Sequence, residues 1–170
     1  MDNKLIIDLI NIKCEEINEF SLNNIKTLGK VVDIYDGDTC KIVLIINNIL
    51  YKFNCRLTGL DTPEIKPQLT KCNRETEILE AYKCRNKLIQ LSTNCDIDLE
   101  SNLKKKDCTK LFELNTKIIT VICHEFDKYG RLLVSLYDND NDNEFSYNDI
   151  LINDGFAKKY DGKRKDGFIY

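Results

Sequence analysis

The sequence predicts an α+β domain, a small five-stranded antiparallel β-barrel with flanking helices. Three observations carry that expectation. Apolar residues alternate with a period of two in five short stretches between residues 31 and 137, separated by Asn, Asp and Gly turn signals. A helical period replaces this alternation near the start, at 74–91 and after Ser146. At 170 residues, 42% of them hydrophobic, the chain is of one-domain size and has enough apolar material for a core.

Residues 1–24 read as a helical extension to a domain spanning 25–170. Ile6, Ile10, Cys14, Ile17 and Phe20 share one stripe at helical spacing, which predicts packing on the domain; a partner-binding arm is the sharper alternative. From Lys30 the period becomes two. Val31–Tyr35 is a strand, and Asp36-Gly37-Asp38 is a turn in which Gly37 supplies a positive φ. Thr39–Ile46 is a second strand, Asn47-Asn48 a tight turn, and Ile49–Leu57 a third strand. Residues 65–74, with Pro67 and mixed polar side chains, read as a surface loop. A helix is predicted over 74–91. Ile78, Ala81, Cys84, Leu88 and Leu91 line one face, and Glu75 and Glu77 suit the positive end of its dipole. The stretch 92–115 reads as a helical insertion, with a short helix after Asp107. Its basic triplet Lys104-Lys105-Lys106 has solvation as its ordinary role and nucleic-acid contact as the alternative. Residues 116–125 are β-like, 126–130 turn, Leu132–Tyr137 is the fifth strand and Asp138–Asn143 a polar hairpin tip. Ser146 with Asp149 makes a capping-box arrangement that opens a helix through Asn153, ended by Gly155. The tail from Asp161 is polar. This order of elements suggests a Greek-key barrel, with the five-stranded OB type as the obvious candidate.

Composition narrows the function. No apolar run approaches the roughly 18 residues of a membrane span. Asp8 interrupts the apolar start and no small-residue cleavage site follows, so it does not read as a secretory signal. A cytoplasmic location without membrane contact is expected. There the eight cysteines are expected to stay thiols and to act as small buried hydrophobes. No CxxC pair occurs and only His124 could join them, so zinc is poorly supported. The formal charge of −3 is not the footprint of a tight, nonspecific nucleic-acid binder. It is compatible with an enzyme that clusters acid at a metal and releases its product. No obligate protein partner is evident, and a monomer is expected.

Three segments carry the chemistry: Asp36-Gly37-Asp38-Thr39, then Arg56 with Asp61-Thr62-Pro63-Glu64, then Asp127-Lys128-Tyr129-Gly130-Arg131. Hydrolysis of a phosphodiester needs such a set. A cation on a phosphate oxygen offsets the diester's charge. A carboxylate within hydrogen-bond reach takes a proton from water. Fixed cationic donors meet the charge that builds in the transition state, and arginine's planar fork suits that task. On this reading Asp38 and Asp61, with the Thr62 carbonyl, are metal ligands, and oxygen donors alone favour calcium or magnesium. Glu64 activates water, and Arg56 and Arg131 hold the phosphate. Lys128 and Tyr129 add a phosphate contact and a stacking surface. Taken singly, each signal has an ordinary alternative: a hairpin turn for Asp-Gly-Asp, a turn cap for Asp61, an exposed carboxylate for Glu64, and surface ion pairs for both arginines.

In this order and spacing the three motifs resemble the thermonuclease family, the staphylococcal-nuclease-like domain, from about Thr27 to Tyr160. The resemblance implies an OB barrel and calcium-dependent hydrolysis of DNA and RNA to 3′-phosphate products. It implies that Asp38, Asp61 and the Thr62 carbonyl hold Ca2+, and that Glu64 is the general base or orients the water. Arg56 and Arg131 would bind the reacting phosphate. Lys128 and Tyr129 match positions that contact a nucleotide phosphate, and Tyr160 approximates a tyrosine that flanks the base. The chain departs from the family in the longer 92–115 segment and in the loop after Glu64. It also departs after Tyr160, where the family's last helix would begin; the N-terminal helix is expected to substitute. The rival expectation is an OB-fold nucleic-acid-binding module with weak or no catalysis, as in family domains that have lost the acidic and arginine positions. All of those positions are filled here.

Overall fold

Alternating burial builds the barrel. The computed structural model describes residues 3–139, 145–162 and 168. In chain order these form helix α1 (Asn3–Asn11), strands β1 (Lys26–Ile34), β2 (Thr39–Ile46), β3 (Ile49–Leu57) and the two-residue β4 (Leu60–Asp61). Helices α2 (Arg74–Thr93) and α3 (Lys105–Leu114) follow, then β5 (Ile119–Phe126), β6 (Leu132–Asp138), α4 (Tyr147–Asn153) and the two-residue β7 (Lys158–Lys159). Cys40, Ile42 and Leu44 of β2 point into the core, as do Leu132, Val134 and Leu136 of β6, while the residues between them are partly exposed. The β2–β3 hairpin turns on Asn47 and Asn48, at φ 50° and 63°, a left-handed conformation that asparagine tolerates. The hairpin tip predicted at 138–143 lies, over 140–143, outside the described residues, as does most of the tail after Gly162.

Five strands close in the order β1-β2-β3-β6-β5, with β5 returning to β1. The expected all-antiparallel barrel needs correction at one seam. β3 and β6 are parallel, with Cys55–Leu57 beside Leu132–Val134. The reason is parity: a closed ring of five strands cannot reverse direction at every step. A bulge between Val31 and Asp33 adds local bend to β1.

The helices flank this barrel. Cys84, Leu88 and Ile89 of α2 join the core, and Cys108 and Phe112 seat α3 on β1. In α4 the predicted capping box is formed: the Asp149 amide donates to Ser146 Oγ (3.0 Å) and the Ser146 amide to Asp149 Oδ2 (3.1 Å). All eight cysteines are free, five of them buried. No described helix is long and apolar enough to cross a membrane.

The N-terminal expectation fails in part. α1 stops at Asn11, whose side chain donates to the Ile7 carbonyl (2.9 Å), and only a single 3-10 turn follows at Cys14–Glu16. Cys14, Ile17 and Phe20 therefore leave the predicted stripe. None of α1 is buried, so it does not stand in for a packed terminal helix. Leu5 and Leu9 line an open hollow with Ile12, Cys14 and Ile17 of the segment that follows, and Ile10 is 75% exposed.

Candidate active site

The turn between β1 and β2 is built by Asp36. Its Oδ1 accepts from the amides of Asp38 (3.2 Å) and Thr39 (2.8 Å). Gly37 is not at positive φ, contrary to the sequence expectation. Space requires it instead: a Cβ there would sit 2.2 Å from Cys84 Sγ and 3.0 Å from both Cys84 Cβ and Thr62 Cγ2. Helix α2 thus presses directly on the turn, and the turn presents Asp38.

Across the β2–β3 pairing Thr39 lies opposite Arg56. Arg56 Nη2 is 2.7 Å from Asp38 Oδ2 and 3.5 Å from Asp61 Oδ1. One guanidinium therefore touches both carboxylates that the sequence nominates as metal ligands, and the two face a common point. Asp61 reaches it because β4 pairs with β7, while Thr62 and Pro63 turn into the protein. Burial pushes the Asp38 carboxyl up to about 7, the nearby Asp36 charge adds to the rise, and Arg56 opposes it only in part. Burial raises Asp36 as well. Asp36, Asp38 and Asp61 are all buried at this floor, and Arg56 contacts the last two.

Arg131 enters from the β5–β6 turn. Gly130, at φ 77°, lets that turn close, with its amide on the Asp127 carbonyl at 2.9 Å. Asp127 then organises the turn. Its Oδ1 accepts from the amides of Tyr129 and Arg131, both at 2.9 Å, and its Oδ2 accepts from Arg131 Nε at 2.7 Å and Nη2 at 2.7 Å. Asp127 takes the side edge of the guanidinium, which leaves the end edge to face the site, where Nη1 lies 3.5 Å from Thr39 Oγ1. Thr39 Oγ1 in turn donates to Asp38 Oδ1 (2.8 Å), so a short chain of polar neighbours joins both arginines through the acid. The Tyr129 ring, 72% exposed, has Lys128 Nζ at 5.1 Å and Arg131 Cζ at 5.7 Å.

A cleft of about 800 Å³ covers this floor, and Arg56, Glu64, Lys128, Tyr129, Arg131 and Tyr160 all line it. Asp38, Asp61 and Thr62 are buried beneath or beside it. Tyr160 is held by its amide on the Gly59 carbonyl (3.0 Å). Glu64 is exposed, and its backbone amide lies 3.3 Å from Glu77 Oε1. Glu77 is itself buried and ion-paired to Lys71. The helix-dipole role predicted for Glu77 is therefore secondary to holding the Glu64 turn. Residue type alone does not signal that role, because glutamate in a first helical turn reads as exposed. For Asp127 a signal exists: it stands four residues before Arg131 around a glycine.

The chain matches no protein-family model. It is similar to the uncharacterized protein MJ1439 of Methanocaldococcus jannaschii, at 32% identity over 146 residues. That similarity covers 83% of this chain and 64% of the relative, so the chain spans less than two thirds of the curated protein it matches.

Proposed function

We propose that this chain is a calcium-dependent nuclease of the thermonuclease type, hydrolysing phosphodiester bonds of DNA and RNA to 3′-phosphate products. The observation that carries the reading is Arg56 Nη2 within 2.7 Å of Asp38 and 3.5 Å of Asp61, at the floor of a cleft that Arg131 and Glu64 also line. We likewise read the barrel as the Greek-key OB type; the strand order β1-β2-β3-β6-β5 supports this.

The donor set fits a hard cation. The two carboxylates are buried oxygen donors, and burial, with the Asp36 charge beside it, makes the Asp38 carboxylate costly to hold without a cation. Among the described residues no three His, Cys, Asp or Glu side chains are grouped as a metal site. On this reading Asp38, Asp61 and the Thr62 carbonyl would hold the ion, with water filling the remaining positions. A bound Ca2+ would offset phosphate charge and polarise the diester. Arg56, the counter-ion of both carboxylates here, would turn to the phosphate when they engage the cation. Arg131, oriented by Asp127, offers its end edge to two phosphate oxygens and to the charge that develops on them. Glu64 takes the proton of the attacking water.

The test is incubation with single-stranded DNA and with RNA, in calcium and then in chelator, with analysis of the product ends. Degradation to 3′-phosphate ends in calcium alone supports the reading. Retention without cleavage in both conditions would support a binding module instead.

A further inference from the structure

The main cleft does not end at Arg131. Beyond that side chain a second hollow of about 320 Å³ is lined by Tyr35, Thr39, Lys41, Asn54, Lys105 and Arg131. Thr39 and Arg131 belong both to this hollow and to the chain of polar neighbours that reaches Asp38. Lys105 begins α3 and is the centre of Lys104-Lys105-Lys106, all three exposed. None of the three has an ion-pair partner among the described residues. Lys41 and Arg131 are each paired with a carboxylate, Asp33 at 3.0 Å and Asp127 at 2.7 Å, and Asp33 also lines the hollow, so the triplet supplies the unpaired positive charge of this path. Tyr35 leaves 54% of its surface open.

The segment that presents the triplet is fixed from below. Fully buried Asn86 of α2 donates its Nδ2 to the carbonyls of Leu99 (2.9 Å) and Ser101 (2.7 Å). Buried Arg85 donates Nη2 to the Leu103 carbonyl (3.0 Å). Burying an amide and a guanidinium is costly unless they are hydrogen-bonded. Here those bonds order the backbone that leads into Lys104, and α3 is then anchored on β1 by Cys108 and Phe112.

We propose that this hollow and the α3 triplet form a secondary track for single-stranded nucleic acid, gripping phosphates of nucleotides beyond the reacting one, with Tyr35 as a stacking face. The track rests on the reading that the main cleft takes a phosphodiester. Its chemistry is that of sequence-independent binding: cations that follow the backbone and an open aromatic ring. It places local positive charge on a chain whose formal charge is −3.

The test measures binding of a labelled single-stranded DNA 12-mer in chelator, by fluorescence anisotropy across a salt series. The variant Lys104→Ala/Lys105→Ala/Lys106→Ala is expected to bind about tenfold more weakly. Its plot of log affinity against log salt should be shallower by roughly 1–2, at about 0.7 for each phosphate no longer neutralised. A control that removes equal charge at Lys13, Lys26 and Lys52, none of which lines either hollow, should keep the wild-type slope. Lys105→Glu should weaken binding further, and Tyr35→Ala should weaken it without changing the slope. Circular dichroism verifies that each variant is folded. An unchanged affinity and slope in the triple variant overturns the track, as does a wild type that does not bind the 12-mer. Lysine-dependent binding without calcium-dependent cleavage would leave the track standing and remove the nuclease reading. Cleavage with an unchanged slope would do the reverse.

Discussion

Gly37→Ala isolates how the barrel presents Asp38. The added methyl would stand 2.2 Å from Cys84 Sγ and 3.0 Å from Cys84 Cβ and Thr62 Cγ2. Cys84 is fully buried, so swinging the thiol aside carries its own packing cost, and Cys84 Cβ is fixed by α2. Overpacking of this kind costs about 1–3 kcal/mol. For a domain of this size roughly 2 kcal/mol lowers Tm by about 4–8 °C. The displaced turn also carries Asp38, and a misplacement near 1 Å costs on the order of 10²-fold in rate. Cys84→Ala alone should cost about 1 kcal/mol for removal of the buried sulfur. In the double variant the closest clash is gone, so the two penalties should sum to less than their separate values, with a coupling of at least about 0.5 kcal/mol. Urea unfolding of the four proteins measures this, and under the proposed function the calcium-dependent hydrolysis of an oligonucleotide should fall with it. A Gly37→Ala protein within 1 °C of wild type, or a fully additive double variant, would refute the claim that space is what this glycine provides.

The remaining predictions concern charge. Glu64→Gln and Arg131→Ala should each lower kcat by roughly 10²-fold or more while calcium affinity is retained; wild-type turnover in either would remove that residue's role. Burial holds Asp38 at about 7, above its ordinary 3.8, so the folded state keeps a proton there that the unfolded chain releases. Stability from this group is therefore present at low pH and lost as the pH rises through 7. Metal-free Asp38→Asn should melt higher than wild type at pH 8, with the advantage shrinking toward pH 5, and should lose calcium binding; a lower Tm at pH 8 would contradict this. At Asp127 partial burial raises the carboxyl. The amide and guanidinium bonds from Arg131, the Tyr129 amide and the Arg131 charge together outweigh it and bring the carboxyl below its ordinary 3.8. Its contribution is present above that value and lost as the pH falls through the folded value. Asp127→Asn should accordingly lower Tm at pH 7 with little difference near pH 3; an equal loss at both would show that the charge is not what matters.

Much of the barrel is legible in the chain because its signals are local. Alternation in Thr39–Ile46 and Ile49–Leu57 marks β2 and β3, Asn47-Asn48 marks their turn, and Ser146 with Asp149 marks the start of α4. Closure is not local: the parallel β3–β6 seam follows from the number of strands in the ring, which no single stretch encodes. The apolar stripe of residues 6–20 shows which side is greasy and not whether anything covers it. Gly37 is legible as a needed glycine, yet its reason lies 47 positions away at Cys84. Arg85, Asn86 and Glu77 are polar residues outside the apolar face predicted for this helix. They are buried because backbone carbonyls and an amide from other segments satisfy them, and residue type does not reveal that. The three motifs name the residues that converge; their spacing does not say that Asp127 would steer one arginine and the acid pair the other.

Under the proposed function Asp38 and Asp61 share one divalent ion, with both arginines facing the phosphate beside it. A crystal structure with calcium and a nucleoside 3′,5′-bisphosphate tests it most directly. One calcium between the two aspartates and a phosphate on Arg56 and Arg131 are expected. Calcium bound elsewhere, or a phosphate that leaves both guanidinium groups on their carboxylates, would contradict it.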